Sequence, residues 1–245
     1  MRSKHLNTRQ ISSAVLFHQP NLPEIGSAWS ELLHEHLGPL QGTRILDAGC
    51  GGGFLALLLA QAGCQVTALD HSEAILQKAR NQARLLGLED RITFCQADAS
   101  DTALESESFD AVVSRHASSL FMHPYSAYQE WHRLLKPRGT VLNFDANWLS
   151  PLWDDTLSKA FLEDEEKVRR KAADYSDIYQ DRFALMQLSQ YPLSFRRRPQ
   201  WDQEACSAIG FREIHTSFLP DEGLRDPIIR QRFRLIPTFL VRASK

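Results

Sequence analysis

The stretch Ile45-Leu-Asp-Ala-Gly-Cys-Gly-Gly-Gly-Phe-Leu-Ala56 decides the fold class of this 245-residue chain. A short apolar run ends in Asp47, a glycine-rich turn follows over 49–53, and a small and apolar run begins at Phe54. Strand, glycine turn and helix in this order are typical of an α/β fold that brings bare backbone against a nucleotide-like ligand, because glycine permits positive φ and close approach. Taken alone, the stretch is also compatible with an ordinary glycine-rich turn.

The spacing of the glycines narrows the choice of ligand. Gly49, Gly51 and Gly53 alternate, and the next position is Phe54. A dinucleotide-binding turn has its third glycine at that later position, where it seats a pyrophosphate on the helix N-terminus. The spacing therefore departs from the pattern expected for a dinucleotide.

Two further strand-like runs also end in an aspartate. Residues 65–69 lead into Asp70, and residues 92–97 lead into Asp98. Aspartate is common in turns, so a single one means little. The carboxyl ends of parallel strands meet at one edge of a sheet, and open α/β sheets bind their ligands there. The sequence therefore predicts that Asp47, Asp70 and Asp98 line a ligand-binding edge.

These motifs together resemble the class I S-adenosylmethionine-dependent methyltransferases of the small-molecule type. The resemblance covers about residues 43–146, and its motifs are specific to the superfamily and not to one substrate. One departure is Arg138, where the last motif of that family usually reads Pro-Gly-Gly, in a loop with a structural role. The matching segments are 46–53, 68–72, 96–99, 109–114 and 134–139.

The alternation of strand-like and helix-like segments predicts an α/β fold with a Rossmann-like doubly wound sheet. The sheet is expected to be mostly parallel with an antiparallel terminal strand, which the resemblance implies. Ser72 is a suitable N-cap and Gly87 a suitable terminator for the helix between them. Predicted strands cover 43–47, 65–70, 91–96, 109–114, 140–146, 211–219 and 237–243, and predicted core helices cover 53–62, 72–86, 124–135 and 200–209.

The chain is expected to divide into two parts. Residues 1–40 form an N-terminal helical cap, whose helix runs from Pro23 to Leu37. Residues 41–245 form the methyltransferase domain. Between residues 148 and 199 the strand–helix alternation stops, and this stretch is predicted to be a helical lid insert over the substrate side.

The resemblance implies S-adenosyl-L-methionine as cofactor and methyl transfer by in-line displacement. Asp47 would bind the ammonium of the methionine part, although a turn-stabilising carboxylate is the alternative. Asp70 would hold the ribose hydroxyls, and Asp98 would accept from the adenine amino group. The remaining expected cofactor contacts are the turn residues Gly49, Cys50, Gly51 and Gly53, the adenine neighbours His71 and Ala99, and backbone contacts from Ser114 or Arg115.

The acceptor side is expected after the fourth and fifth strands. His116 is the candidate general base or acceptor-orienting group, with a loop-capping histidine as the alternative. Asp145 and the Trp148 indole would suit a flat or cationic acceptor, although Trp148 is also a possible packing anchor for the lid. Further candidate lid contacts are Tyr175, Tyr179, His123 and Trp153. No metal is expected, because His34 and His36 point to different faces of a helix.

The amino-acid composition indicates which partners and which compartment to expect for the chain. The chain is 43% apolar with a net charge of −2, which argues against a general nucleic-acid surface and leaves 196–198 as a solvated loop or helix-end cluster. Its four cysteines lack metal-ligand spacing and are expected to be reduced thiols. Neither a membrane span nor an apolar signal core is visible. We expect a cytoplasmic monomer or homodimer.

The function predicted from the sequence is methyl transfer to a small-molecule acceptor. After the fourth strand stands Ser114-Arg-His-Ala117, so an Asn-Pro-Pro-Tyr-type tetrad for base or glutamine methylation is missing. Methylation of tRNA or protein would need a basic face, for example at 169–171 and 196–198. The sequence is also compatible with a cofactor-binding module without catalysis and with a nicotinamide-dependent oxidoreductase.

Overall fold

The computed structural model describes residues 22–160, 163, 188–220, 223–225, 227, 230 and 233–245. Tyr175, Tyr179 and half of the predicted insert lie outside these residues. The strands are β1 (Arg44–Ala48), β2 (Gln65–Asp70), β3 (Ile92–Gln96), β4 (Phe109–Arg115), β5 (Leu135–Asp145), β6 (Arg212–Phe218) and β7 (Phe239–Ser244). The main helices are α1 (Leu22–Leu37), α2 (Phe54–Gln61), α3 (Glu73–Leu85), α4 (Pro124–Leu134) and α5 (Gln200–Ile209).

The strands form one seven-stranded sheet in the order β3-β2-β1-β4-β5-β7-β6. Strands β1 to β5 pair in parallel, and β7 is antiparallel to both β5 and β6. The predicted doubly wound sheet with its antiparallel terminal strand is therefore confirmed. The strand order reverses between β1 and β4, and this switch point is where open α/β sheets form their ligand crevice.

Helix α2 is apolar around its whole circumference, and residues Phe54 to Ala60 are all buried. It can therefore lie between the sheet and α1, whose Trp29 and Leu33 belong to the same core cluster. The opposite face of the sheet is covered by α4 and α5, with Tyr128 and Trp131 fully buried. Helix α1 thus packs over the strand edge where the glycine turn lies.

Two local predictions need correction. Strand β5 begins at Leu135 and not at residue 140, with a register shift against β4 where residues 136–139 bulge out. Ser72 does occupy the N-cap position of α3, but its hydroxyl makes no capping bond. The Ser72 N–H instead binds the Asp70 carboxylate at 3.0 Å, which turns the residue toward β2. Gly87 follows the helix with a φ of 67°, as a terminating glycine should.

The two ends of the predicted insert are tied together. The Asn147 side-chain amide donates to the Arg198 carbonyl at 2.7 Å and accepts the Arg198 backbone N–H at 3.1 Å. Residues 155–160 are helical, as predicted for the start of the insert. The segment therefore leaves and rejoins the sheet domain at one point. Within the described residues, no helix is long and apolar enough to cross a membrane.

Candidate active site

The glycine turn after β1 is held by the end of β2. The backbone N–H groups of Gly49 and Cys50 both donate to the Leu69 carbonyl at 2.8 Å, and the Gly53 N–H donates to the Cys50 carbonyl. The Cys50 thiol is buried beside this turn. Most of the turn's donors are therefore used inside the protein, which fixes its shape before any ligand binds.

The three alternating positions of the turn favour glycine for different physical reasons. A Cβ on Gly49 would lie 2.5 Å from the Ala117 side chain, and a Cβ on Gly53 would lie 3.1 Å from that of Ala79. At Gly51, which has a φ of 54°, no described atom lies within 4 Å of such a Cβ. Gly49 and Gly53 permit close packing, whereas Gly51 faces open space. This opening fits the close approach of the predicted cofactor to bare backbone.

Asp70 joins β2 to the glycine turn. It is only 6% exposed, and its Oδ2 accepts the Gly51 N–H at 3.0 Å while its Oδ1 accepts the Ser72 N–H. The half-exposed His71 ring lies 3.5 Å from Oδ1. Each carboxylate oxygen can accept a second hydrogen bond. Asp70 is therefore held in place and still has capacity for the ribose hydroxyls predicted to lie there.

Asp47 lies beneath the turn and is buried. Its Oδ2 accepts the Ala56 N–H in the first turn of α2 at 2.9 Å, whereas Oδ1 has no donor among the described residues. Burial raises the pKa of Asp47 to about 7, although the Ala56 hydrogen bond and the Arg115 charge oppose that shift. Asp47 thus holds the start of the helix that follows the glycine turn, and one oxygen remains for the ammonium predicted to bind there.

Asp98 lies after β3, where the sequence places the adenine. The side chain is exposed, and its Oδ1 accepts both the N–H and the hydroxyl of Ser100 at 2.8 and 2.6 Å. Burial alone would raise the pKa of Asp98, but the two hydrogen bonds from Ser100 outweigh this effect and lower the pKa. No described residue donates to Oδ2, and Ala99 beside it is buried. The residue is ionised and has an acceptor oxygen left.

Strand β4 brings the next pair of predicted residues to the turn. The Ser114 hydroxyl donates to the Ala48 carbonyl at 2.8 Å, so its side chain links β4 to β1. The Arg115 guanidinium lies over the rings of Trp29 and Phe54, 4.9 and 4.7 Å from their centroids. Burial lowers the pKa of Arg115 to about 9, with Arg225 adding to the effect. Arg115 therefore places a cation beside the turn.

His116 is buried and adopts a positive φ of 53°. Its ring packs edge-on against Trp148 with 4.8 Å between centroids. Burial, with the nearby charges of Arg115 and Arg225, lowers the pKa of His116 well below 6.5. The imidazole is therefore neutral at neutral pH, the form that a base needs. Its catalytic role stays a prediction.

Asp145 needs a different assignment from the acceptor contact expected from the sequence. Its side chain is fully buried, and its carboxylate is saturated by protein donors. A carboxylate with every oxygen so engaged has no capacity for a ligand. Asp145 is therefore a structural hub. Its donors are Arg198 Nη1, Ser118 Oγ, Ser119 N, Ala146 N and Trp148 Nε1, all between 2.6 and 2.9 Å.

Trp148 is held by the same hub. Besides its bond to Asp145, its ring packs against Phe233 with 5.3 Å between centroids and perpendicular planes. The side chain is 5% exposed. Of the two roles that the sequence allowed, these contacts favour the packing anchor over the aromatic wall of an acceptor site.

Arg198 was not identified from the sequence as a central residue. The expectation of a solvated 196–198 run is wrong at this position, because Arg198 is buried while Arg196 and Arg197 are exposed. Its guanidinium binds Asp145 at 2.7 Å and Asp202 at 2.6 Å. Asp202, four residues later in the first turn of α5, was the available signal. The other partner, Asp145, is distant in sequence, so the sequence carries no signal of this ion pair.

A small apolar pocket lies where the insert meets the sheet edge. Its cavity volume is about 20 Å³, enough for one water molecule. Apolar side chains dominate its lining, with hydroxyl and amide groups at Ser119, Asn147 and Ser194. It is lined further by Leu120, Ala146, Trp148, Leu149, Leu188 and Leu193.

Comparison with known proteins finds relatives of the part of the chain that carries this site. The family model described as a methyltransferase domain matches residues 46–143, from the end of β1 to the end of β5. This part of the chain is therefore similar to a methyltransferase domain over its whole length, as the motifs predicted. The glycine turn, Asp70 and Asp98 all lie within the matched residues.

Relatives of this part of the chain agree in sequence and in fold. The ubiquinone biosynthesis O-methyltransferase of Alkalilimnicola ehrlichii is 42% identical over 107 residues, which are 43% of this chain and 42% of that protein. Phosphoethanolamine N-methyltransferase 2 of Haemonchus contortus, solved with S-adenosyl-L-methionine, has a TM-score of 0.61 at 18% identity and covers 89% of this chain and 52% of that one. The [4+2]-cyclase SpnF has a TM-score of 0.62 at 19% identity, covering 93% and 83%.

The sequence match stops short of the acceptor side. The chain spans less than half the length of the curated relatives that it matches most strongly. The matched residues hold the cofactor edge, whereas the insert from 148 to 199 and strands β6 and β7 lie beyond them. Likeness to these relatives therefore bears on the methyl donor and not on the acceptor.

Proposed function

We propose that this protein transfers a methyl group from S-adenosyl-L-methionine to a small-molecule acceptor. The observation that carries the proposal is the glycine turn, which is open at Gly51 and fixed by Asp70 at the switch point of the sheet. When bound, the cofactor supplies an activated methyl group, so the protein mainly has to align the acceptor and exclude water. Asp47, Asp70 and Asp98 would hold the cofactor by their remaining carboxylate oxygens.

The acceptor would approach from the side of His116 and the insert. The neutral His116 imidazole would take or orient an acceptor proton if the acceptor must lose one on attack. The division into residues 1–40, 41–245 and a lid over 148–199 belongs to this proposal.

Calorimetry and product analysis test the proposal. S-adenosylhomocysteine should bind and stabilise the protein, whereas NAD should do neither. The protein is then incubated with labelled cofactor and acceptors that offer a hydroxyl, an amine or a thiol. The name of the Alkalilimnicola ehrlichii relative, an O-methyltransferase, places hydroxyl acceptors first. Stabilisation by NAD alone would refute the proposed cofactor.

Methylation of tRNA or protein is the weaker alternative. Of the basic positions that it would use, Arg198 is buried in ion pairs, and 169–171 lie outside the described residues. RNA binding that weakens steeply with salt would favour this alternative. A second alternative is a cofactor-binding module without methyl transfer. The [4+2]-cyclase SpnF shares this fold, and the fold alone does not specify methyl transfer. Cofactor binding without any methylated product would support that one.

Compartment and assembly are part of the same proposal. All four cysteines are free thiols, which suits the reducing cytoplasm. We place the protein there as a monomer or homodimer, and light scattering of the purified protein distinguishes these two states.

A further inference from the structure

Arg115 is a cation that has no counter-ion among the described residues. Its guanidinium lies over the rings of Trp29 and Phe54, and its Nε is buried without a hydrogen-bond partner among the described residues. None of the described residues forms an ion pair or a hydrogen bond with this side chain. The aromatic rings stabilise the charge but do not satisfy its donors.

The surroundings of Arg115 add to this imbalance. Arg225 lies near enough to lower the pKa of Arg115, and its own guanidinium donates to the carbonyls of Phe233 and Ile236. Asp47 is the acid whose charge acts on Arg115, but the two do not form an ion pair. Arg115 as a residue is only partly buried, but its Nε–H is removed from water, and a donor of a cation that is removed from water costs free energy unless an acceptor binds it. An anion is therefore the missing component here.

The position of Arg115 indicates where that anion would come from. Val113 pairs with Asp47 across the sheet, and Ser114 binds the Ala48 carbonyl, so Arg115 begins beside the glycine turn. Two residues later, Ala117 packs against Gly49. The guanidinium thus lies at the turn itself, next to the carboxylate expected to bind the ammonium of the methionine part.

We propose that the Arg115 side chain binds the carboxylate of the cofactor's methionine part while Asp47 binds its ammonium. The inference rests on the proposed function and adds a side-chain role that goes beyond backbone contacts. The two residues would read the two charges of an α-amino acid. A carboxylate on the acceptor offers the same chemistry, so the experiment has to separate the two sources.

Calorimetry with two matched ligands provides the test. One is S-adenosylhomocysteine, and the second is the same molecule without its carboxylate. The wild-type protein should prefer the complete ligand by about tenfold to a hundredfold, the range for a charge-assisted hydrogen bond. Arg115→Met should abolish that preference and leave the affinity for the decarboxylated ligand unchanged. Arg115→Lys should keep part of it, because the charge remains without the planar fork.

A matched control is available at the far edge of the sheet. Arg44 also lies over an aromatic ring, 5.8 Å from the Phe109 centroid, and Arg44→Met should keep the wild-type preference. Circular dichroism and thermal unfolding establish that each variant is folded.

Three results would overturn the inference. The first is equal affinity of the wild-type protein for both ligands. The second is a preference that survives Arg115→Met; if turnover then falls for acidic acceptors only, the guanidinium binds the acceptor. The third is an equal loss of affinity for both ligands in Arg115→Met, which indicates a structural role.

If the wild-type protein binds neither ligand, the proposed function itself fails, and that result is distinct from these three.

Discussion

The Asp70 carboxylate accepts the Gly51 backbone N–H at 3.0 Å, so the end of one strand holds the turn that follows its neighbour. Asp70→Ala should therefore weaken S-adenosylhomocysteine binding by about tenfold or more, because both a charged acceptor for the ribose and the support of the turn are lost. Calorimetry measures the change. Asp110→Ala is the control, since Asp110 also accepts a backbone N–H, from Arg44, at the opposite edge. Binding within twofold of wild type would count against this placement.

The raised pKa of Asp47 predicts that the free energy of unfolding depends on pH. Its pKa is about 7 in the folded protein, raised by burial from 3.8. Between these values the folded state holds a proton that the unfolded state releases, so the free energy of unfolding falls as the pH rises and levels off above pH 7. Asp47→Asn should flatten this decline and make the ligand-free protein more stable at alkaline pH. Urea unfolding at several pH values measures the slope, and a wild-type slope in the variant would exclude Asp47 as its source.

Arg198→Met should destabilise the protein by about 3–5 kcal/mol, because it leaves Asp145 and Asp202 buried without their cation. Both acids bind the Arg198 guanidinium in the interior. Urea unfolding gives the free-energy change. Arg197→Met removes the neighbouring exposed arginine and should change stability by no more than about 0.5 kcal/mol. Equal effects of the two substitutions would contradict the central position of Arg198.

His116→Ala should lower turnover more than cofactor affinity if the imidazole contacts the acceptor. Because its pKa lies well below 6.5, wild-type turnover should show no inflection from this group between about pH 6 and pH 8. Steady-state kinetics and calorimetry on the same preparations separate the two effects. An unchanged rate in the variant would remove His116 as a base.

Arg138→Gly should stabilise the protein by about 1 kcal/mol, because Arg138 is exposed and has a left-handed φ of 66° that favours glycine. Thermal unfolding measures the gain. Arg138→Ala keeps a Cβ and should show none. A gain of similar size from alanine would attribute the effect to the removed charge and not to the backbone.

The cofactor edge could be predicted from sequence because its signals are local. A glycine turn between an apolar strand and an apolar helix leaves few alternatives, and each of the acids follows its own strand directly. The antiparallel terminal strand of the doubly wound sheet followed from the resemblance and is confirmed by β7. The bulge at residues 136–139 was missed because Lys136 and Pro137 are typical of a loop.

The acceptor side was harder because its contacts are distant in the chain. Asp145 was placed correctly at the end of β5, but the residue that saturates it lies 53 positions later. The sequence around Arg198 is typical of a solvated basic run. Apart from Asp202 four residues later, nothing local distinguishes the buried Arg198 from the exposed Arg196 and Arg197. Ser72 likewise stands at the predicted N-cap position, but its hydroxyl makes no capping bond.

The Asn147 amide binds the Arg198 backbone on both its donor and its acceptor side. A stretch whose two ends meet in this way adds a loop at one place without changing strand order or register. Under the proposed function, a change of length or sequence between positions 147 and 198 would therefore alter the acceptor side and leave the proposed donor-binding edge of the sheet in place.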